Sequence, residues 1–237
     1  MRFECVHRTH PGLKRKINED SLLVRTERGL WAVADGMGGH EAGDVASGKV
    51  VEALALVPPH STIEAFVADS ISALQTANRQ LIDLARSASS ARTIGTTVVG
   101  LVISGDRFGC FWAGDSRAYR VREGEIAQLT RDHSLVQGLV DAGMLAPAEA
   151  HDHPNANVVT RAVGASEALN VDTSGGDVQL GDVFLLASDG LTRIVDEDEI
   201  YYELTTNPLP QAADTLVQMV LSRGAPDNVT MVIVRVT

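Results

Sequence analysis

The chain has 237 residues, of which 44% are hydrophobic and 22% charged, and its formal net charge is −11. This balance excludes a disordered chain, and so acidic a protein without a basic run repels nucleic acid and anionic membranes. Because no apolar run is as long as a membrane span and no signal-peptide core is present, we expect one cytoplasmic domain over residues 1–237.

In chain order, the first half predicts strands on either side of two helices. Its apolar runs predict strands over 3–9, 21–25, 31–34, 96–103, 107–112 and 117–122. The third strand is closed by Asp35-Gly36, which is a turn signal. After it, a helix is predicted over 42–57, stopped by Pro58-Pro59. Apolar residues at helical spacing predict a second helix over 62–87, with Thr62 as its N-cap.

The second half begins with a polar stretch over 133–157, in which one or two short helices are predicted. The segment 157–164 is predicted to be a strand that returns the chain to the core, with Arg161 in a structural role. Further strands are predicted over 183–187 and 229–236, and further helices over 197–205 and 210–223. Long blocks of strands with helices inserted in pairs favour the α+β class, in which helices cover antiparallel sheets.

Aspartates recur at the predicted ends of these strands. Asp35, Asp115 and Asp189 follow apolar runs, whereas Asp20 and Asp227 precede strands. Taken singly, each fits a turn or a cap. Taken together, they could meet at one sheet edge, where carboxylates repel one another unless cations neutralise them.

Oxygen ligands without any zinc-like His or Cys spacing favour Mg²⁺ or Mn²⁺. Gly36 would let a backbone carbonyl approach such an ion, and two ions roughly 3.5–4 Å apart activate a shared water for phosphoryl displacement. Arg15 has the forked geometry that phosphate oxygens need. Beside Lys14 and Lys16, it also fits a solvated basic patch.

The glycine-rich segment 35–43 follows a strand and opens a helix, as a nucleotide-binding loop does. However, Glu41 stands where the third glycine of a dinucleotide fingerprint belongs. Asp44 stands after Gly43, where a P-loop requires lysine. The sequence therefore disfavours both nucleotide sites.

Six segments resemble the motifs of the PPM/PP2C family of metal-dependent protein serine/threonine phosphatases, in its compact bacterial form. They are 12–20 (GLKRKINED), 33–40 (VADGMGGH), 95–97 (GTT), 113–117 (AGDSR), 187–191 (ASDGL) and 227–230 (DNVT). Each is weak alone, but together they follow the family's order over nearly the whole chain.

The resemblance implies a four-layer α-β-β-α sandwich, with two antiparallel sheets face to face, helix pairs outside and the metals at one edge. It also implies hydrolysis of phosphoserine and phosphothreonine in proteins by direct attack of a hydroxide that bridges two Mg²⁺ or Mn²⁺ ions, without a phosphoenzyme. The expected partners are the targets of a serine/threonine kinase and the kinase itself, and a monomer is expected.

The resemblance assigns four residues to the two core ions. Asp35 should bridge them, with the Gly36 carbonyl on the second ion. Asp189 and Asp227 should complete the first ion.

Further roles follow from the same resemblance. Glu19 and Asp20 should act mostly through metal-bound waters. Asp115, with Asp189, should hold a weaker third ion, and Arg15 should grip the substrate phosphate.

Met37 stands where many members of the family carry a histidine, so His40 is the predicted proton donor to the leaving alkoxide. The alternative is a helix-entry histidine bonded to backbone, with a metal-bound water as the acid. Residues 132–156 correspond to the family's variable flap and are predicted to select substrate. Its histidines are individually expected to serve as caps or to face solvent: His133, His151 and His153.

Two other functions are weighed against this one. A phosphoprotein-binding module could keep the fold without turnover, although such relatives usually lose acidic positions that this chain keeps. An aspartyl-nucleophile phosphohydrolase needs a second carboxylate two residues after the first, whereas Asp35 is followed by Gly36 and Met37.

Overall fold

The strands form two antiparallel sheets in the computed structural model, which describes residues 1–38, 42–87 and 94–237. In chain order the strands are β1 (Phe3–His10), β2 (Asp20–Arg25), β3 (Leu30–Met37), β4 (Gly95–Thr96), β5 (Val98–Ser104), β6 (Arg107–Ala113), β7 (Arg117–Arg122), β8 (Glu125–Gln128), β9 (Asp172–Asp177), β10 (Val183–Ala187) and β11 (Val229–Val236). One sheet has the order β1-β11-β10-β7-β8. The other has the order β2-β3-β5-β6-β9, and β4 pairs with the end of β3.

Helices cover the outer face of each sheet. The described helices are α1 (Ala42–Ala55), α2 (Ile63–Ser87), α3 (Leu135–Asp141), α4 (Asp189–Thr192), α5 (Glu197–Thr206) and α6 (Leu209–Ser222), with 3-10 turns at Thr26–Arg28 and Pro147–Glu149. All but α3 pack against a sheet. Within the described ranges, no helix combines the length and the apolar character needed to cross a membrane.

Buried side chains form three layers. One lies between α1, α2 and the sheet that contains β3, and another between α4, α5, α6 and the sheet that contains β11. The third lies between the sheets and includes Trp31 from one and Phe184 from the other. This arrangement confirms the predicted α-β-β-α sandwich.

β3 is buried on both faces, which explains its unbroken apolar sequence. Trp31 and Val33 belong to the layer between the sheets, whereas Leu30, Ala32 and Ala34 belong to the layer under α1 and α2. Because successive side chains of a strand point to opposite faces, one run of apolar residues serves both cores.

The predicted strand over 157–164 is wrong. The segment makes isolated bridges instead, including one between Val163 and Thr96, so it does not join a ladder. Conversely, the sequence does not predict β8 or β9. β9 reads DTSGGD and has no apolar residue to mark it.

The predicted turn at Asp35-Gly36 is also wrong. β3 continues through Met37, because Gly36 and Met37 pair with Thr96 and Gly95 of β4. Asp35 therefore lies inside a strand.

Residues 132–156 lie between β8 and β9 and are called the flap below. They contain α3 and the turn Pro147–Glu149, which confirms the predicted short helices. Ser134 caps α3, since its hydroxyl accepts a hydrogen bond from the Gln137 amide at 3.2 Å.

Candidate metal centre and active site

Asp20 and Asp35 lie directly opposite each other on β2 and β3. The hairpin between these strands closes through the 3-10 turn Thr26–Arg28 and Gly29, whose φ of 69° is left-handed. This register brings together two carboxylates that are far apart in sequence. Like charges at opposed positions destabilise a sheet unless something compensates them.

The second sheet contributes two more aspartates. Asp189 begins α4 directly after β10, and Asp227 precedes β11, the neighbour of β10 in that sheet. Both therefore lie at the same end of adjacent strands. The chain forms a cavity of about 420 Å³ where the ends of the two sheets meet.

Seven of the predicted site residues line this cavity: Arg15, Glu19, Asp35, Gly36, Asp115, Asp189 and Asp227. Asp20 is buried and is not among the lining residues. His40 falls outside the described residues. We call this space the acidic cavity.

Burial and mutual repulsion raise the pKa values of the clustered carboxyl groups. For Asp35, burial and then the charge of Asp20 raise the pKa well above 3.8. Burial also raises the pKa of Asp20 to about 7, although local hydrogen bonds oppose the change. Burial and the charge of Asp189 raise the pKa of Asp115 to about 7. Without cations, the cluster therefore tends to retain protons near neutral pH.

One observation supports a hard cation at this site, and another explains the glycine beside it. The Oδ1 atom of Asp20 is buried without a hydrogen-bond partner, whereas its Oδ2 atom accepts from the Ser188 hydroxyl at 2.9 Å. A Cβ on Gly36 would lie 2.0 Å from the Gly43 carbonyl oxygen, so only glycine fits there. A buried carboxylate oxygen without a partner is costly, and a divalent cation would satisfy it.

Arginines engage two of the carboxylates. Arg193 Nε lies 2.8 Å from Asp189 Oδ2, and Arg15 Nη2 lies 2.7 Å from Asp227 Oδ2. In the part of the chain that the structure describes, no group of three or more Asp, Glu, His or Cys side chains is arranged ready to hold a metal ion. The chemistry of the donors fits a cation, although each arginine occupies one oxygen of its aspartate.

Glu19 has a second task besides lining the cavity. Its Oε1 atom accepts a hydrogen bond from the Gly43 amide at 3.1 Å, and its carbonyl accepts one from the Ser47 hydroxyl at 2.6 Å. The Glu19 carboxylate therefore accepts a hydrogen bond from one of the backbone amides that have no partner within the first turn of α1.

Asn228 is a supporting residue to which the sequence assigned no role. Its Oδ1 atom accepts from the Glu19 amide at 2.8 Å, and its Nδ2 atom donates to the carbonyls of Pro11 and Ile17 at 2.9 and 3.0 Å. These bonds tie the loop that carries Arg15 to the start of β11. Its place beside Asp227 in the DNVT segment is the signal that could have indicated it.

The flap histidines with resolved contacts are structural. His133 Nδ1 accepts from the Gly114 amide at 3.1 Å, and its ring stacks on Trp112 with centroids 6.1 Å apart. His153 Nδ1 accepts from the Asn155 amide at 3.1 Å. His133 and His153 therefore act as local caps, as expected.

Known proteins resemble this chain over nearly its whole length. A family model described as protein phosphatase 2C matches residues 14–228. The serine/threonine protein phosphatase PstP of Mycobacterium tuberculosis is 37% identical over 226 residues. That alignment covers 95% of this chain but 43% of PstP, so the chain spans less than half the length of that relative.

Solved structures agree with the sequence comparisons. PppA of Pseudomonas aeruginosa, described as a key regulatory component of T6SS, superposes with a TM-score of 0.90 at 41% identity, covering 100% of this chain and 99% of that chain. The catalytic domain of PstP in complex with two manganese ions superposes with a TM-score of 0.89 at 34% identity, covering 99% of each chain. The chain belongs to the protein phosphatase 2C family.

Proposed function

We propose that the protein is a Mg²⁺- or Mn²⁺-dependent phosphatase that hydrolyses phosphoserine and phosphothreonine in phosphorylated proteins. The observation that carries this proposal is the acidic cavity, in which Asp35, Asp189 and Asp227 from both sheets lie beside Arg15. Family membership supports it, as does the PstP catalytic domain that binds two manganese ions.

Asp35, the Gly36 carbonyl, Asp189 and Asp227 would hold two core ions, with Glu19 and Asp20 behind them. When bound, such ions supply Lewis acidity that activates water and neutralises charge on phosphoryl oxygens. The protein's own contribution is to hold these oxygens in one buried cluster, where the Ser188 hydroxyl fixes the orientation of Asp20.

Arg15 is the proposed phosphate ligand. Its side chain is 52% exposed at the cavity, where its guanidinium already binds one carboxylate oxygen of Asp227. A phosphoryl group offers two oxygens to the same fork, so substrate can take the place of Asp227. Arg15→Lys keeps the charge but loses the fork, and we expect it to raise KM for a phosphoserine peptide.

The direct test is phosphate release from a phosphoserine peptide by the purified protein. We expect release to need added Mn²⁺, to stop in chelator and to fall at least about 100-fold in Asp35→Asn, the upper loss typical of groups that support a metal. Asp214→Asn is the matched control, because Asp214 is exposed on α6 and pairs with Arg8. Release in chelator, or an Asp35→Asn protein as fast as wild type, would contradict the proposal.

The same experiment separates the other two functions. A binding module would retain the phosphopeptide without releasing phosphate under any metal condition. An aspartyl nucleophile would leave phosphate covalently attached to the protein after an acid quench. We expect neither result.

His40 stays the predicted proton donor. If it protonates the leaving alkoxide, His40→Ala loses far more activity on a phosphoserine peptide than on an aryl phosphate, whose oxide leaves without help. Equal losses on both substrates would assign the proton to another group.

The proposal also includes several finer predictions made from the sequence. They are that residues 1–237 form one catalytic domain, that the flap selects substrate, and that a kinase and its targets are the partners. The monomeric state, the cytoplasmic location and the lack of nucleic-acid or membrane partners also stay predictions.

A further inference from the structure

Arg193 contacts both carboxylates that the family resemblance assigned to a third metal ion. It follows α4, so its side chain returns over the first turn to Asp189, four residues earlier. Its Nε atom lies 2.8 Å from Asp189 Oδ2, and its Nη2 atom lies 3.6 Å from Asp115 Oδ2. Asp115 is 4% exposed, so this guanidinium compensates a buried charge.

The same guanidinium also contacts the end of the flap. Nη1 donates to the side-chain oxygen of Asn157, and Nη2 donates to the carbonyl of Ala156. Arg193 therefore lines the acidic cavity and also a second cavity of about 460 Å³ beneath the flap. The Arg193 side chain therefore links the carboxylates of Asp115 and Asp189 to Ala156 and Asn157 at the end of the flap.

We propose that Arg193 is an internal cation that takes the place of the third metal ion, binding Asp115 and Asp189 and fixing the end of the flap. A third ion cannot bind Asp115 Oδ2 and Asp189 Oδ2 while the guanidinium lies against both, because two cations at the same buried oxygens repel each other. The other oxygen of Asp189 is the one left for a core ion. Asp115 and Asp189 together thus do not fit a third ion while Arg193 is present. Arg193 is a positioning residue, since it acts through these carboxylates and the flap.

This inference rests on the proposed function, because it takes two core ions as given. The measurement is the number of Mn²⁺ ions bound per chain, read by equilibrium dialysis and by calorimetry. We expect two ions in wild type and a third, weaker ion in Arg193→Ala, which opens the oxygens of Asp115. The double variant Arg193→Ala/Asp115→Asn should return to two ions, which places the third ion at Asp115.

Arg131→Ala is the matched control. Arg131 forms an arginine–aspartate pair with Asp141 of the flap, and neither residue lines the acidic cavity. We expect this variant to bind two ions. If Arg193→Ala does not fold, Arg193→Gln keeps a hydrogen-bond donor for Ala156 and Asn157 without the charge, and it should also gain the third ion.

Hydrogen exchange gives a second readout that does not depend on turnover. Amides at 156–159 should exchange faster in Arg193→Ala than in Arg131→Ala, because the flap loses its anchor. Three ions in wild type, or two in every folded Arg193 variant, would overturn the inference and leave the proposed function intact. A wild-type protein that binds no Mn²⁺ would instead overturn the proposed function.

Discussion

Replacing Asp20 by asparagine should stabilise the metal-free protein, by an amount that grows as the pH rises from about 4 to about 7 and is constant above that. Burial, with added repulsion from Asp189 and Asp227, raises the pKa of Asp20 from 3.8 to about 7. An acid whose pKa is higher in the folded protein binds its proton more tightly there than in the unfolded chain. The stability of the wild type is therefore unaffected below about pH 4, falls between pH 4 and the folded pKa of about 7, and levels off above it.

The size of the effect follows from this difference. At about 1.4 kcal/mol for each pKa unit, ionising Asp20 in the folded protein costs up to about 4 kcal/mol above pH 8. Asparagine removes this charge while it keeps an oxygen for the Ser188 hydroxyl, and its amide can donate to Asp35 on the facing strand. We expect a gain of about 2–4 kcal/mol at pH 8 and close to none at pH 4.

The assay is urea unfolding in chelator at several pH values between these limits. Asp182→Asn is the control, since Asp182 is also buried but binds Arg122 through both oxygens, at 2.7 and 2.6 Å. That variant should lose about 3 kcal/mol, because it removes the buried carboxylate that compensates the Arg122 charge. Excess Mn²⁺ should reduce or reverse the advantage of Asp20→Asn, because metal stabilises the wild type by mass action.

A gain of equal size at every pH would refute this reasoning, because the effect would then not come from ionisation. So would a loss of stability at pH 8 in chelator. Either result would mean that the charge of Asp20 is compensated in the folded protein without metal.

Three further predictions test the frame around the site. Gly36→Ala should destabilise the protein by about 1–3 kcal/mol in thermal unfolding, because its Cβ would meet the Gly43 carbonyl oxygen at 2.0 Å. The control is Gly138→Ala inside α3, where a Cβ would lie in open space, and it should raise the stability by about 0.5–1 kcal/mol. Asn228→Ala should lower the stability by about 1–3 kcal/mol and raise KM, because the loop that carries Arg15 loses three hydrogen bonds. An unchanged KM would contradict the link between Asn228 and Arg15. Cys110 should not react with a thiol reagent at pH 8 until the protein unfolds, because burial raises its pKa to about 12; labelling of the folded protein at the rate of a free thiol would contradict this.

Antiparallel sheets covered by helices could be predicted from the residue pattern, whereas the four-layer sandwich was implied by the family resemblance. Leu30 to Ala34 and Val183 to Ala187 are unbroken apolar runs, and the apolar residues of α2 recur at helical spacing. β9 could not be predicted, because pairing with β6 at an edge requires no apolar side chain. Residues 157–164 misled the prediction because their backbone makes only isolated bridges, as when Val163 exchanges hydrogen bonds with Thr96.

The residues of the site, too, could be predicted from the sequence only in part. The aspartates and Arg15 could be indicated by their places beside strands and by the family motifs. The pairing of Asp20 with Asp35 depends on the register set by a 3-10 turn, which no local pattern specifies. Arg193 is marked only by its spacing of four from Asp189, and its contact with Asp115 depends on how two sheets pack.

The position of β11 has a consequence for synthesis on the ribosome. β11 lies between β1 and β10, although it follows both in the chain, so its sheet is incomplete until residues 229–236 emerge. Pairing across such a separation is slow, because a long loop must close first. Asp227 and Asn228 emerge just before the same strand, so the acidic cavity is complete only after these late residues have been translated.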